Sequence, residues 1–272
     1  MKVFTEPKKL QKWCAAKKLA GKKIALVPTM GYLHEGHLSL IAKAKAKGAD
    51  EIVVSVFVNP VQFCPGEDYA KYPRDEKADL QKCRAAGATA IFFPTPKNMY
   101  LERHSVYITE DDLSRGLCGA RRPGHFRGVC TVVAKLFNLV HPHFAVFGQK
   151  DYQQVQVIKR MVRDLNFDLE IVMAPIVREP SGLARSSRNT YLSADEKTRA
   201  IVLSRTLKAV KSGTIKTISA AAKAITKGGL KVDYVECVDA KTLESRSRFA
   251  KGCCVLIAAY CGKTRLIDNI LL

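Results

Sequence analysis

The sequence predicts an α/β fold: a Rossmann-like, doubly wound parallel sheet over residues 1–175, followed by a smaller C-terminal α+β domain over residues 176–272. Three observations predict it. Short apolar, β-branched runs alternate with helical segments through the first part, as parallel strands covered on both faces require. Beyond residue 176 the order changes to helices followed by alternating strands. A length of 272 residues accommodates one large domain with a smaller companion.

Lys23–Thr29 reads as a strand closed by Pro28, and Glu51–Val58 as a second, nearly all apolar. Between them, Leu40, Ile41 and Ala44 fall at helical spacing over His37–Lys47, which completes a strand–helix–strand unit with a right-handed crossover. The unit repeats: a charged helix Arg74–Ala86 leads to the strand Ala90–Pro94. A helix Gly128–Val140 leads to Phe144–Gly148, and a helix Tyr152–Leu165 to Glu170–Ala174. Residues 97–127 interrupt the series with a Gly-, Arg- and His-rich loop, a length that in compact domains usually carries function. In the second part, helices over 194–212 and 217–228 precede strands over 232–239 and 253–269, read as a small antiparallel sheet with helices packed on it.

The chain carries 45 Lys+Arg against 25 Asp+Glu, a net charge of +20, which first suggests a nucleic-acid or membrane surface. The excess is spread evenly, +10 on each side of residue 176, and no basic arm, aromatic stacking run or recognisable module accompanies it. Neither nucleic acid nor membrane is therefore expected as a partner. The nine cysteines are odd in number, form no Cys-x-x-Cys pair, and sit mostly in apolar stretches, so reduced buried thiols are expected. Met1–Lys9 lacks an apolar signal core and no 18-residue apolar run exists, so the expected location is cytoplasmic.

The most informative segment is Pro28-Thr29-Met30-Gly31-Tyr32-Leu33-His34-Glu35-Gly36-His37, at a strand's carboxyl end and a helix start. Ligands of open parallel sheets bind there, and the helix N-terminus offers free N–H groups to phosphate. Gly31 and Gly36 allow close backbone approach. His34 and His37, three apart, are expected to point the same way from one helical turn and to donate hydrogen bonds to charge developing on an α-phosphate. The plainer readings are two exposed histidines or a metal pair. His-Glu-Gly-His lacks the His-Glu-x-x-His spacing and a third ligand, so no metal ligand is assigned.

This His-x-Gly-His pattern is similar to the signature of the nucleotidyltransferase superfamily, which includes the class I aminoacyl-tRNA synthetases and attacks nucleoside triphosphates at the α-phosphate. Further segments narrow the resemblance: Phe57-Val58-Asn59-Pro60-Val61-Gln62-Phe63, Arg121-Arg122-Pro123-Gly124-His125-Phe126-Arg127-Gly128, Phe147-Gly148-Gln149-Lys150-Asp151-Tyr152-Gln153-Gln154, and Gly182-Leu183-Ala184-Arg185-Ser186-Ser187-Arg188-Asn189. Together, in this order and over essentially the whole chain, they resemble the pantoate–β-alanine ligases, the pantothenate synthetase family.

The resemblance implies an AMP-forming carbon–nitrogen ligase of pantothenate biosynthesis, with ATP as co-substrate, Mg²⁺, and a pantoyl adenylate intermediate. It implies that Met30, Gly31, Tyr32, Leu33, His34, Glu35, Gly36 and His37 contact ATP, with His34 and His37 on the reacting phosphate and His37 also a proton donor. Gly148, Gln149, Lys150 and Asp151 would line the nucleotide site, with Lys150 on phosphate and Asp151 on ribose or orienting its neighbours. Val177 would lie near adenine, and Ser186, Ser187 and Arg188 would grip the β- and γ-phosphates from the second domain, which closes over ATP, with Arg185 contacting ATP through its backbone. Gln62 and Gln154 would bind pantoate, and Gln62 also β-alanine. A homodimer is implied as well. Arg122, His125 and Arg127 fit either a lid or a subunit interface and are left unassigned.

Three positions depart from the family pattern: Gln149 where Glu is usual, Ser181 where Asp is usual, and Arg185 where Leu is usual. Side-chain roles at 149 and 185 are open on that account. A nucleotidyltransferase adenylating another small acid would share His34 and His37 but would need neither glutamine nor the Arg-Pro-Gly-His-Phe segment. A nucleic-acid-binding protein is the alternative from a different class.

Overall fold

The structure, a computed structural model, describes residues 1–272. It divides into two compact units, Met1–Gly148 with Val157–Ala174, and Gln149–Gln156 with Pro175–Leu272.

The first unit is a six-stranded parallel sheet in the order β1-β4-β3-β2-β5-β6, built from β1 (Lys2–Phe4), β2 (Ile24–Thr29), β3 (Glu51–Val56), β4 (Ala90–Phe92), β5 (Phe144–Gly148) and β6 (Glu170–Ala174). Every pairing is parallel. The helices are α1 (Pro7–Leu19), α2 (Glu35–Ala46), α3 (Glu76–Ala86), the short α4 (Pro96–Met99) and α5 (Leu117–Arg121), α6 (His125–Val140) and α7 (Tyr152–Asp164), whose residues up to Gln156 group with the second unit. Strand order reverses between β2 and β5, so the carboxyl ends of these two strands form the switch point where such sheets bind ligands. β3 is buried throughout, and Leu40, Ile41 and Ala44 of α2 pack with Ala25, Val27, Val54 and Val146 of the sheet.

The second unit holds α8 (Ala194–Ala200), α9 (Val202–Lys211) and α10 (Ile218–Lys227) and an antiparallel sheet β7 (Lys231–Asp239), β8 (Cys253–Cys261) and β9 (Thr264–Leu271). Leu203, Leu207 and Ile225 meet Val235, Val255 and Ile257 in its core.

The parallel sheet and the smaller mixed domain agree with the expected fold class, while several boundaries differ. The sequence pattern misses β1 and α1: β1 is a three-residue edge strand, mostly exposed, without a periodic signal. The helix expected over 194–212 is two helices, α8 and α9, meeting at Ile201, whose backbone stays in the right-handed helical region. The strand expected over 253–269 is two strands joined at Gly262, whose φ of 57° permits the tight turn. The loop 97–127 contains two short helices, and the helix expected from Gly128 begins at His125.

All nine cysteines are free, and seven are buried. No helix is long and apolar enough to cross a membrane.

Candidate active site

At the carboxyl end of β2 the chain turns sharply. Thr29 Oγ1 donates to the Ser55 carbonyl at 2.8 Å and accepts the Gly31 N–H at 3.1 Å. Gly31 has φ 87°, and a Cβ there would lie 2.7 Å from Val56 Cγ1, so only glycine fits. Tyr32 follows at φ 51°. The two consecutive left-handed residues are held from α3: Asp79 accepts the N–H of Tyr32 at 2.8 Å and of Leu33 at 2.7 Å, and Lys82 Nζ donates to the Leu33 carbonyl at 2.6 Å.

His34 is the N-cap of α2, in extended backbone, rather than a residue of the helical turn as its spacing predicts. Its Nδ1 accepts the Gly36 N–H at 3.1 Å, and His37 Nδ1 accepts the His34 N–H at 3.3 Å. The rings stack, 4.1 Å between centroids at 30°. The expected convergence of the two imidazoles is therefore reached through reciprocal capping. An Nδ1 that accepts a hydrogen bond carries no hydrogen, so the neutral form of each ring has its hydrogen on Nε2. Both rings thus offer Nε2–H as a donor.

Beyond β3, Pro60–Gln62 forms a 3₁₀ turn. Asn59, 1% exposed, donates to Gln62 Oε1 at 3.2 Å and to the Gly128 carbonyl at 3.1 Å, and accepts the Tyr100 hydroxyl at 2.8 Å. Gln62 Nε2 in turn donates to Met30 Sδ at 2.9 Å, so two residues singled out from separate motifs meet. Gly128 lets α6 approach this turn: a Cβ there would fall 2.4 Å from the Val61 carbonyl oxygen. His125 Nδ1 lies 2.8 Å from the Gln62 carbonyl oxygen.

Arg122, left unassigned from sequence, pairs with Glu67 through Nε at 2.6 Å and Nη2 at 2.8 Å, and contacts His125 Nε2 at 2.9 Å. Burial favours the neutral acid of Glu67, but the hydrogen bond and charge of Arg122 outweigh it and hold the carboxyl below its usual range. The Arg127 guanidinium stacks 3.6 Å from the Tyr107 ring centroid. Asn59, Tyr100 and Asp79 were not singled out from sequence. The available signal for Asn59 was an amide before proline at a strand end.

In the second unit, Gln149–Asp151 form a 3₁₀ turn leading into α7, with Lys150 Nζ 3.5 Å from Asp151 Oδ1 and Gln154 half-buried. Gln149 donates from Nε2 to Asn269 Oδ1 at 3.2 Å. Residues 177–185 form a narrow hairpin: Arg185 N–H donates to the Val177 carbonyl at 2.9 Å, Glu179 N–H to the Leu183 carbonyl at 2.8 Å, and Gly182 turns the tip at φ 97°. Val177 and Arg185 are thereby neighbours, and Ser186, Ser187 and Arg188 follow at once, with Ser186 Oγ accepting the Arg188 N–H at 3.3 Å. Two of the departures take local roles here. Ser181 Oγ accepts the Leu183 N–H at 3.4 Å, and Arg185 lies 3.7 Å from Glu179 Oε1.

Within the first unit, a strand-end loop with two Nε2–H donors and an amide cluster just beyond β3 suit attack of a small carboxylate on a nucleotide phosphate. The family profile of Pantoate-beta-alanine ligase matches residues 2–271. The chain belongs to this family.

Relatives agree over full length. The pantothenate synthetase of Myxococcus xanthus is 51% identical over 268 residues, covering 95% of this chain and 91% of that protein. That of Thermotoga neapolitana is 46% identical over 280 residues, covering both chains in full. Among solved structures, pantothenate synthetase from Thermus thermophilus superposes with a TM-score of 0.90 at 41% identity over 99% of each chain. Pantoate-beta-alanine ligase from Francisella tularensis, complexed with beta-gamma ATP and beta-alanine, gives 0.86 at 34% identity over 100% of this chain and 97% of that one. As a member of this family, the chain is a carbon–nitrogen ligase that condenses pantoate with β-alanine to give pantothenate.

Proposed function

We propose that the condensation runs through a pantoyl adenylate made from ATP. A pantoate carboxylate oxygen attacks the α-phosphorus, and the bond to the bridging oxygen breaks to release pyrophosphate. The amine of β-alanine, as the free base, then attacks the acyl carbon. The bond to the AMP oxygen breaks, AMP leaves, and the nitrogen sheds a proton to give the amide. The observation that carries this reading is the capping geometry at His34 and His37, which fixes an Nε2–H donor on each ring at the switch point of the sheet. Such preorganised donors favour a transition state that gathers charge on the α-phosphate oxygens. His37 serves also as a proton donor. The ATP and β-alanine named for the Francisella tularensis relative support the same substrates here.

In this assignment Met30, Gly31, Tyr32, Leu33, Glu35 and Gly36 present backbone to the nucleotide. Gly148, Gln149 and Asp151 line the nucleotide site, with Asp151 on ribose or orienting its neighbours, and Lys150 neutralises phosphate. Val177 meets adenine, Ser186, Ser187 and Arg188 take the β- and γ-phosphates, and Arg185 contacts ATP through its backbone. Gln62 and Gln154 bind pantoate, and Gln62 receives β-alanine. The second domain, residues 176–272, contributes the triphosphate grip, and the first, 1–175, the pantoate contacts. No group of three or more His, Cys, Asp or Glu side chains is placed to hold a metal. Mg²⁺ enters with ATP, coordinated by phosphate oxygens and water. A cytoplasmic homodimer completes the reading.

The deciding experiment is pyrophosphate release with ATP, Mg²⁺ and pantoate, with and without β-alanine. Pantoate-dependent pyrophosphate without β-alanine, chased to pantothenate and AMP on its addition, is the expected result. Pyrophosphate that appears only when β-alanine is present overturns the adenylate route.

A further inference from the structure

The final strand carries an anomaly. β9 is apolar on its buried positions except at Asp268 and Asn269, adjacent residues on opposite faces that are 3% and 2% exposed. Polar groups buried in a sheet are costly unless every atom is partnered. Both are, and their partners lie in the two segments of this unit assigned to phosphate. Resting on that assignment, we propose that Asp268 and Asn269 are the positioning residues for Lys150 and for the Arg185–Arg188 segment.

Asn269 devotes its side chain to a single turn. Nδ2 donates to the Gln149 carbonyl at 2.9 Å and to the Lys150 carbonyl at 3.0 Å, while Oδ1 accepts Gln149 Nε2. Those two carbonyls belong to the two peptide planes that flank the Lys150 Cα. One amide group holding both planes fixes the φ and ψ of Lys150, and with them the direction in which its side chain leaves the backbone. Gln149, a departure from the family pattern, therefore has a defined role through its side chain as well as its carbonyl.

Asp268 acts on the hairpin. It receives Arg178 in a fork, Nη1 to Oδ2 at 2.6 Å and Nη2 to Oδ1 at 2.9 Å, and Arg178 Nη1 also donates to the Gly182 carbonyl at 3.2 Å. A bidentate Arg–carboxylate pair sets orientation as well as distance. Arg178 pairs across the hairpin with Ala184, immediately before Arg185, so the clamp sets where Arg185–Arg188 begin. Asp268 Oδ1 also accepts the Asn269 N–H at 2.8 Å, tying the two clamps together. Consecutive positions on one strand thus fix the spacing between the lysine turn and the Arg185–Arg188 segment.

The test is a double-mutant cycle on pantoate-dependent pyrophosphate release. Asn269→Ala is expected to lower the rate roughly 100-fold in the otherwise unaltered enzyme, yet by less than about twofold in the Lys150→Ala background. An equal loss in both backgrounds overturns the positioning role and leaves that of Lys150 standing. A Lys150→Ala enzyme of near-normal rate overturns the assignment of Lys150 and the positioning with it. If Asn269→Ala shows no cooperative thermal transition, Asn269→Asp, which keeps the volume and the acceptor but lacks both donors, takes its place in the cycle. For the second clamp, Asp268→Asn is expected to raise KM for ATP about tenfold or more with KM for pantoate within about twofold. Equal rises in both overturn it.

Discussion

The carboxylate of Asp79 accepts the backbone N–H of Leu33 at 2.7 Å, and its second oxygen takes that of Tyr32. This acid on α3 therefore holds the turn that presents His34. Burial pushes its carboxyl above the usual range, against the pull of the two N–H groups and of Lys82 and with the push of nearby Asp75. Protonation replaces one acceptor with a hydroxyl facing an N–H donor. Adenylation should accordingly fall on the acid side at a pH above the ordinary aspartate range. Stability has the opposite sign: the folded state binds this proton more tightly than the unfolded chain, so acidification through this group does not unfold the protein. A pH profile of pyrophosphate release beside circular dichroism checks both. Asp79→Asn should remove that limb and lower the rate about 10- to 100-fold; a wild-type rate and limb in this variant sinks the role.

The dual use of His34 can be separated by substitution. Asparagine is a good N-cap but has no donor at the reach of Nε2. His34→Asn should therefore retain the melting temperature within a degree or two while pyrophosphate release falls about 10²–10³-fold. His34→Ala should lose a similar factor in rate and, in addition, about 1 kcal/mol of stability with the cap. An asparagine variant that turns over normally would show that the ring serves α2 alone.

Much of this architecture is legible in local patterns. β3 and β5 are covered on both faces, so Ile52-Val53-Val54 and Phe144-Ala145-Val146-Phe147 appear as unbroken apolar runs. His34 with His37 lies within one segment, and Gln62 within another. What stays hidden is contact at long range. Asp79 meets Leu33 across 46 positions and Asn269 meets Gln149 across 120, and no periodicity encodes either pairing. The one local trace of the second is a polar pair inside Leu266-Ile267-Asp268-Asn269-Ile270. Boundaries fail where two helices meet at a residue that keeps helical backbone, as at Ile201, or where a strand is as short as β1.

Burial pushes the thiols of Cys14, Cys83, Cys130 and Cys254 up to about 12. Such groups carry almost no thiolate at neutral pH and react slowly. Only Cys64 and Cys118 are partly exposed. Titration of the native protein with an aromatic disulfide reagent should modify at most these two quickly, and all nine after unfolding in guanidinium. Rapid modification of three or more native thiols would contradict the burial of the other seven.

Gly128 tests how closely α6 must approach the Gln62 turn. A Cβ at this position would sit 2.4 Å from the Val61 carbonyl oxygen and 2.6 Å from Gln62 Cα, and both neighbours are backbone that cannot rotate aside. Either α6 or the Pro60–Gln62 turn must shift. α6 is the more firmly held, since most of its residues are buried and Val129, Val133 and Phe137 lie in the core. The turn is therefore the part that moves, and with it the Asn59–Gln62–Met30 chain of hydrogen bonds. Gly128→Ala should cost about 1–3 kcal/mol of stability by overpacking. It should also raise KM for pantoate and β-alanine, both assigned to Gln62, more than KM for ATP. Denaturant melts and steady-state kinetics measure the two effects separately, and a uniform rise across all three substrates would place the strain elsewhere than at Gln62.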